Sequence, residues 1–251
     1  MCGIMVIKFD KVKLVIFDFD GVLFNGLEAI KLGVKNALEK YDLSANFDEA
    51  VDDIAHLIQK LMPIPIPKII LKSYNLLNEV SFLSDIKSFF KRLQVGLSVY
   101  RQYLKEVEHM TVYDGVPEML DVLSGKGIKF AIFTSGTKKS VMNKLEKAGL
   151  LHHFPEELII GAGEVPPGHV KPSPDGIEMI YNIMGLDSSA VQNGEIIMVG
   201  DMKTDIIAGK TAFNSKGIGT VGIKSGYDAN LPSAKPDLLL ENTTQLLSHF
   251  A

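Results

Sequence analysis

Short, unbroken apolar and β-branched runs recur along the chain, each ending in a glycine or a polar cluster. Lys13–Phe17 precedes Asp18-Phe19-Asp20-Gly21, and Lys129–Phe133 precedes Thr134-Ser135-Gly136. Leu158–Ile160 leads into Gly161, and Glu195–Val199 into Gly200-Asp201. Weaker runs follow at Gly219–Ile223 and Asp237–Leu240. Continuous apolar runs of this length with no polar alternation predict buried parallel strands. Helical patterns fall between them, at Val116–Leu123, Lys138–Ala148, Pro174–Met184 and Lys203–Ala212. Val141, Leu145 and Ala148 share one face of the second of these, and Gly149 supplies its stop. Ser173 is the expected N-cap of the third, with Pro174 in its first turn. Strand–helix alternation predicts an α/β fold, a Rossmann-like parallel sheet with helices on both faces. Ligands in such folds sit at the carboxyl ends of the strands, where every one of these polar clusters falls.

Residues 25–110 break this rhythm and carry no convincing strand. Leu27, Ile30, Val34, Leu38 and Tyr41 are spaced as one helical face, and Ile86, Phe90, Leu93, Leu97, Tyr100 and Leu104 as another. Pro63, Pro65 and Pro67 exclude a continuous helix between them. The expected organisation is a core of residues 1–24 and 111–251, interrupted by an all-helical insertion, 25–110.

Composition narrows the class. The chain has 251 residues, 46% of them hydrophobic and 22% charged, which is ordinary globular composition and excludes disorder. The formal net charge is −4, which argues against a nucleic-acid partner. The longest apolar runs, Leu14–Phe17 and the proline-broken Leu61–Ile66, fall far short of the ~20 residues of a membrane span. Asp10 comes early and no basic segment precedes it, so no secretory signal and a cytoplasmic location are expected. The single cysteine excludes a disulfide scaffold. Met1-Cys2-Gly3-Ile4 looks like the start of amidotransferases with an N-terminal cysteine nucleophile. The residues that follow do not continue that pattern, and Cys2 reads as part of a leader before the first strand.

Four clusters carry candidate chemistry. Asp18 and Asp20 flank Phe19 at a strand end, a pairing suited to a hard divalent cation or to a nucleophile with a proton-transfer partner; a solvated turn has the same pattern. Thr134-Ser135-Gly136 offers hydroxyls and backbone N–H groups to an anion, or simply caps a helix. Lys171 stands in a proline-stiffened turn, Lys171-Pro172-Ser173-Pro174-Asp175, as a positioned charge or a surface lysine. Asp201 completes a cation site at a strand terminus, and Asp205 is either part of it or a first-turn acid favoured by the helix dipole.

In this order the clusters resemble the haloacid dehalogenase-like hydrolase superfamily. Tyr113-Asp114-Gly115-Val116, Gly222–Tyr227 and Pro236-Asp237 look like its phosphoglycolate phosphatase and β-phosphoglucomutase-like branch. The resemblance implies a Mg²⁺-dependent phosphatase acting on a small phosphorylated metabolite. Asp18 is the implied nucleophile, forming an aspartyl-phosphate, and Asp20 the implied general acid and base. Mg²⁺ is expected on Asp18, the Asp20 carbonyl and Asp201, with Asp205 orienting the ligands. Thr134, Ser135, Gly136 and Lys171 are expected to hold the phosphate. The helical insertion corresponds to a cap that closes over the site and selects the substrate. Val22 departs from the usual threonine and occurs in sugar-phosphate mutases, so a mutase is the alternative; Gly200-Asp201 through Asp205 is phosphatase-like. A non-catalytic metabolite-binding protein is the remaining reading, but none of the acids or the lysine is lost. In the insertion, Arg92 and Arg101 could grip a second anionic group, against a solvated helix face packed through Ile86, Phe90 and Leu93. His56, Lys60 and Lys68 are unranked, and Met62 with its flanking isoleucines reads as core or as a hydrophobic cap surface.

Overall fold

The computed structural model describes residues 6–61, 77, 78, 80–84, 86–107, 110–224, 228 and 230–250. Cys2, Met62, the three prolines 63, 65 and 67, Lys68 and residues 225–227 of Gly222–Tyr227 lie outside the described residues, as do the side chains of His56, Lys60 and Leu104. The chain divides into two compact units, Met1–Phe24 with Thr111–Ala251, and Asn25–Met110.

The first unit is built on a six-stranded sheet, β1 (Leu14–Phe17), β2 (Lys129–Phe133), β3 (Ile159–Ile160), β4 (Ile196–Gly200), β5 (Gly219–Ile223) and β6 (Leu238–Leu240), all parallel, in the order β3-β2-β1-β4-β5-β6. β1 lies between β2 and β4, with Phe17 level with Ile132 and Val199. Alternate residues face opposite sides. Leu14 and Ile16, with Ala131, Phe133, Ile196 and Met198, pack against Ile177, Ile180, Ala208 and Ala212. On the other face Phe17 meets the rings of Phe130 and Phe154. Both faces are covered, so the strands are apolar throughout, as the unbroken runs require.

In the second unit, α1 (Leu27–Tyr41), α2 (Phe47–Leu61), the short α3 (Ser81–Ser84) and α4 (Phe89–Val107) pack together. Ile30 and Val34 are buried as their spacing predicts. The face expected on α4 holds only in part, with Ile86 buried and Leu93 and Tyr100 half-buried. Val95, Val99 and Tyr103 point inward, whereas Phe90 is 81% exposed and Leu97 is also exposed. The helix carries two apolar stripes, and Gly33 on α1 selects between them. A Cβ there would sit 3.2 Å from the Val99 carbonyl oxygen, so the missing side chain brings α1 onto the Val95–Val99 stripe. Arg92 is half-buried and donates to Asn78 rather than lying on a solvated face, while Arg101 is exposed. No helix among the described residues is long and apolar enough to cross a membrane.

The core helices are α5 (Val116–Gly125), α6 (Lys138–Lys147), α7 (Asp175–Ile183), α8 (Ser188–Gln192) and α9 (Lys203–Ser215, regular as far as Thr211). Pro174, not Ser173, is the capping residue of α7, and no side chain caps it. Ser173 is placed one residue too early, and its hydroxyl donates instead to the Asp175 carboxylate. At the other end of the sheet, Asp237 accepts from the Thr220 N–H and hydroxyl at 2.9 and 2.7 Å, tying the start of β6 to β5.

Candidate active site

Three adjacent strands deliver one polar residue each to the carboxyl edge: Asp18 follows β1, Thr134 follows β2 and Asp201 follows β4. The Asp18 N–H continues the ladder by donating to the Val199 carbonyl at 2.8 Å. Beyond it the chain makes a tight turn. Gly21 takes φ of 85°, a conformation open to glycine at little cost. Its N–H donates to the Phe24 carbonyl at 2.7 Å, and the rings of Phe19 and Phe24 stack at 4.6 Å. Leu23 accepts from Tyr113, and Val22 from the Thr243 hydroxyl. The turn carrying Asp20 is thus fixed to the body of the core.

Lys171 joins these residues from the loop after β3. Its side chain is only 3% exposed, and its Nζ lies 2.8 Å from Asp18 Oδ1 and 2.6 Å from Asp205 Oδ1. Burial alone would lower its pKa, but the two carboxylates override this and hold the ammonium above its ordinary range. The same Nζ sits 5.6 Å from the centre of the Phe133 ring. Gly176 permits this packing, since a Cβ there would meet the Phe133 ring at 2.2 Å. The Lys171–Pro172 peptide bond is cis. Asp175 accepts from Ser173 and lies 2.8 Å from His169 Nδ1, pinning the loop. The Ser173 bond, opposed weakly by burial, lowers the Asp175 pKa.

Asp205 is fully buried in the first turn of α9. Its Oδ2 accepts the Met202 N–H at 2.9 Å while Oδ1 holds Lys171. Burial raises its pKa, with Lys171 opposing. Gly200 makes room for it, because a Cβ at residue 200 would fall 2.2 Å from Asp205 Cβ. Asp205 is therefore more than a first-turn acid favoured by the dipole.

Thr134 is buried; its N–H donates to the Ile160 carbonyl and its Oγ1 accepts the Gly136 N–H at 3.1 Å. A hydroxyl that accepts can still donate its own proton. Helix capping is carried out by Thr137, which accepts the Ser140 N–H at 3.3 Å, so Thr134 and Ser135 are not the cap. Ser135 and Gly136 are half-buried beside it.

Two residues escaped the sequence reading. Lys144 of α6 reaches Asp20 Oδ1 at 3.3 Å and lies 5.4 Å from the Phe19 ring centre. It is buried beside Val141 and Leu145 on the inward face of α6, where the helical period calls for an apolar side chain. That misplaced charge was the available signal. Burial raises the Asp20 pKa, Lys144 lowers it and Asp18 raises it, with the net shift upward. The second is Asp228, buried, whose Oδ2 accepts the Lys203 N–H at 2.9 Å and whose Oδ1 accepts that of Asn230 at 2.8 Å. It fastens the start of α9 and had no periodic signal.

The donor set fits a hard divalent cation. Asp18, Asp201 and Asp205 are all buried and each offers a carboxylate oxygen within 4.8 Å of the others. Three carboxylates face one ammonium, and such an excess of buried negative charge is what a doubly charged cation with oxygen ligands offsets.

Comparison with known proteins agrees with this geometry. The family model for haloacid dehalogenase-like hydrolases matches residues 15–218. A phosphoglycolate phosphatase of Haemophilus influenzae is 29% identical over 238 residues, covering 94% of this chain and 97% of the relative. The pyrophosphatase PpaX of Listeria monocytogenes is 27% identical over 240 residues, covering 95% and 96%. Among solved structures, a haloacid dehalogenase superfamily hydrolase of subfamily IA from Geobacter sulfurreducens superposes with a TM-score of 0.62 at 20% identity, covering 96% of this chain and 98% of that one. The family match starts inside β1 and ends just short of β5, taking in all four polar clusters, and so the chain belongs to the haloacid dehalogenase-like hydrolases.

Proposed function

We propose that this protein is a Mg²⁺-dependent phosphatase of small phosphorylated metabolites, working through an aspartyl-phosphate on Asp18. The observation that supports it best is the meeting of a buried carboxylate, a buried ammonium and a buried hydroxyl at one sheet edge, Asp18 with Lys171 at 2.8 Å and Thr134 just past the neighbouring strand β2. The names of its relatives, a phosphoglycolate phosphatase and a pyrophosphatase, agree with phosphate release.

In this reading Asp18 attacks phosphorus and the ester bond to the leaving oxygen breaks. Asp20 gives its proton to that oxygen and then takes one from the water that hydrolyses the aspartyl-phosphate. A raised pKa suits a carboxylic acid that must carry a proton near neutrality. Lys144 fixes the Asp20 carboxyl, and Lys171 and Thr134 hold phosphate oxygens where charge accumulates. Asp205 holds Lys171. Asp18, Asp201 and the Asp20 backbone carbonyl would hold Mg²⁺, with Asp205 behind them; the ion, when bound, supplies charge neutralisation for the meeting of two anions.

A panel of phosphate esters that includes phosphoglycolate, pyrophosphate and hexose 1-phosphates, scored by released phosphate with Mg²⁺ and with chelator, tests the reading. Metal-dependent phosphate release from at least one member is expected. Conversion of a hexose 1-phosphate to its 6-phosphate without release would make the protein a mutase, and no turnover of any member would contradict an enzyme.

A further inference from the structure

A second cluster of metal-ligating side chains lies away from the catalytic edge. His152 and His153 belong to the 3₁₀ turn Leu151–His153 after α6, and Asp121 projects from α5. His153 packs against Phe130, near the amino end of β2, whereas the candidate active site follows the carboxyl ends. One ligand atom from each of the three residues lies within 4.8 Å of the other two.

The arrangement is poorly explained by hydrogen bonding. The side chain of His153 is 5% exposed, and its Nε2 lies 3.1 Å from Asp121 Oδ1. The approach lacks good hydrogen-bond geometry, so Asp121 is a charge facing this buried nitrogen rather than a well-formed acceptor for it. A buried polar atom left so costs free energy that a native structure normally recovers. The neighbouring imidazole does not recover it: the two rings are tilted by 39° with 4.0 Å between centres, and no hydrogen bond joins them. His152 and Asp121 are both exposed beside it.

The geometry points to a second cation site, on His152, His153 and Asp121, for a borderline divalent ion of the Zn²⁺ type. Two imidazole nitrogens and one carboxylate oxygen are the donors such an ion takes. Mg²⁺ demands oxygen and is poorly served here, whereas the all-carboxylate set of Asp18, Asp201 and Asp205 suits it. Donor chemistry thus sorts two metals to two ends of one sheet. An ion at the second site ties α5 to the connection between α6 and β3 and adds stability by mass action.

The test is calorimetric titration and thermal unfolding of the full chain with Zn²⁺, at saturating Mg²⁺. Wild type is expected to bind one Zn²⁺ and, at a hundredfold excess over Kd, to unfold roughly 5–10 °C higher. His152→Ala and Asp121→Asn change exposed side chains and leave the core packing intact; each is expected to weaken Zn²⁺ at least roughly tenfold. Asp18→Asn is expected to bind Zn²⁺ as wild type does. Unchanged affinity in both His152→Ala and Asp121→Asn would overturn the site. So would loss of Zn²⁺ binding in Asp18→Asn, which would put the ion on the catalytic carboxylates, or no Zn²⁺ binding by wild type. None of these outcomes depends on turnover.

Discussion

Replacing Lys144 by methionine keeps the aliphatic stem and removes the charge that faces Asp20. The pair is 3.3 Å apart, with Lys144 buried and the Asp20 side chain 22% exposed. Exposed pairs contribute about 0.2–1 kcal/mol, and breaking a buried one costs about 3–5 kcal/mol. This pair lies between, so fixing Asp20 is worth about 1.5 kcal/mol, close to a factor of ten in rate. That is well inside the roughly 10²–10⁴-fold contributed by general acid catalysis. The loss must depend on the leaving group. An alkyl phosphate leaves as an alkoxide and needs the Asp20 proton, whereas p-nitrophenyl phosphate leaves as a stable anion. Steady-state kinetics on both esters should show kcat/KM, which stops at aspartyl-phosphate formation, down about tenfold for the alkyl ester and within about twofold of wild type for the aryl ester. Asp20→Asn should show the same selectivity with a larger amplitude, and Lys144→Arg should restore part of the alkyl activity. Equal losses of kcat/KM on the two esters, or none on the alkyl ester, would refute the role given to Lys144.

Other perturbations probe the surrounding frame. Asp205→Asn removes one of the two carboxylates holding Lys171 and should cost roughly 10–100-fold in activity or Mg²⁺ affinity, read from kcat and a Mg²⁺ titration. Gly200→Ala drives a methyl group into Asp205 at 2.2 Å and should destabilise by about 2 kcal/mol; calorimetry should show Tm falling roughly 4–8 °C. Ser173→Ala removes the main cause of the lowered Asp175 pKa, so its carboxyl resonance should titrate nearer the ordinary 3.8. Because that pKa is depressed, the stability it contributes is present above the ordinary value and is lost as pH falls through the folded one; the variant should lose less on acidification. Exhaustive removal of divalent cations should stop phosphate release, and full turnover without metal would be evidence against the cation role.

The strands were legible because each is covered on both faces and so carries no polar alternation. β1, β2, β4 and β5 follow their apolar runs closely, and Asp18, Thr134 and Asp201 stand just past the ends of the first three. Lys144 was hidden because a single lysine on a helix reads as solvated, although it falls on the apolar face of Val141 and Leu145, and the packing of α6 shows it pointing inward. Asp228 was hidden because its bond to Lys203 spans 25 residues with no local pattern. The misread face of α4 has the same origin. Two apolar stripes compete there, and the choice rests with Gly33 on another helix. Ser173 was misplaced by one residue, which is the ordinary latitude of helix boundaries, and its hydroxyl found a nearer partner in Asp175.

In the proposed reaction everything turns on Asp18 forming the bond to phosphorus. Phosphate release by Asp18→Asn from the best ester of the panel, measured at saturating Mg²⁺ on protein whose circular dichroism matches wild type, tests it most directly. No turnover above background is expected, because the amide offers no carboxylate to attack phosphorus. Near-wild-type release by that folded variant would contradict it.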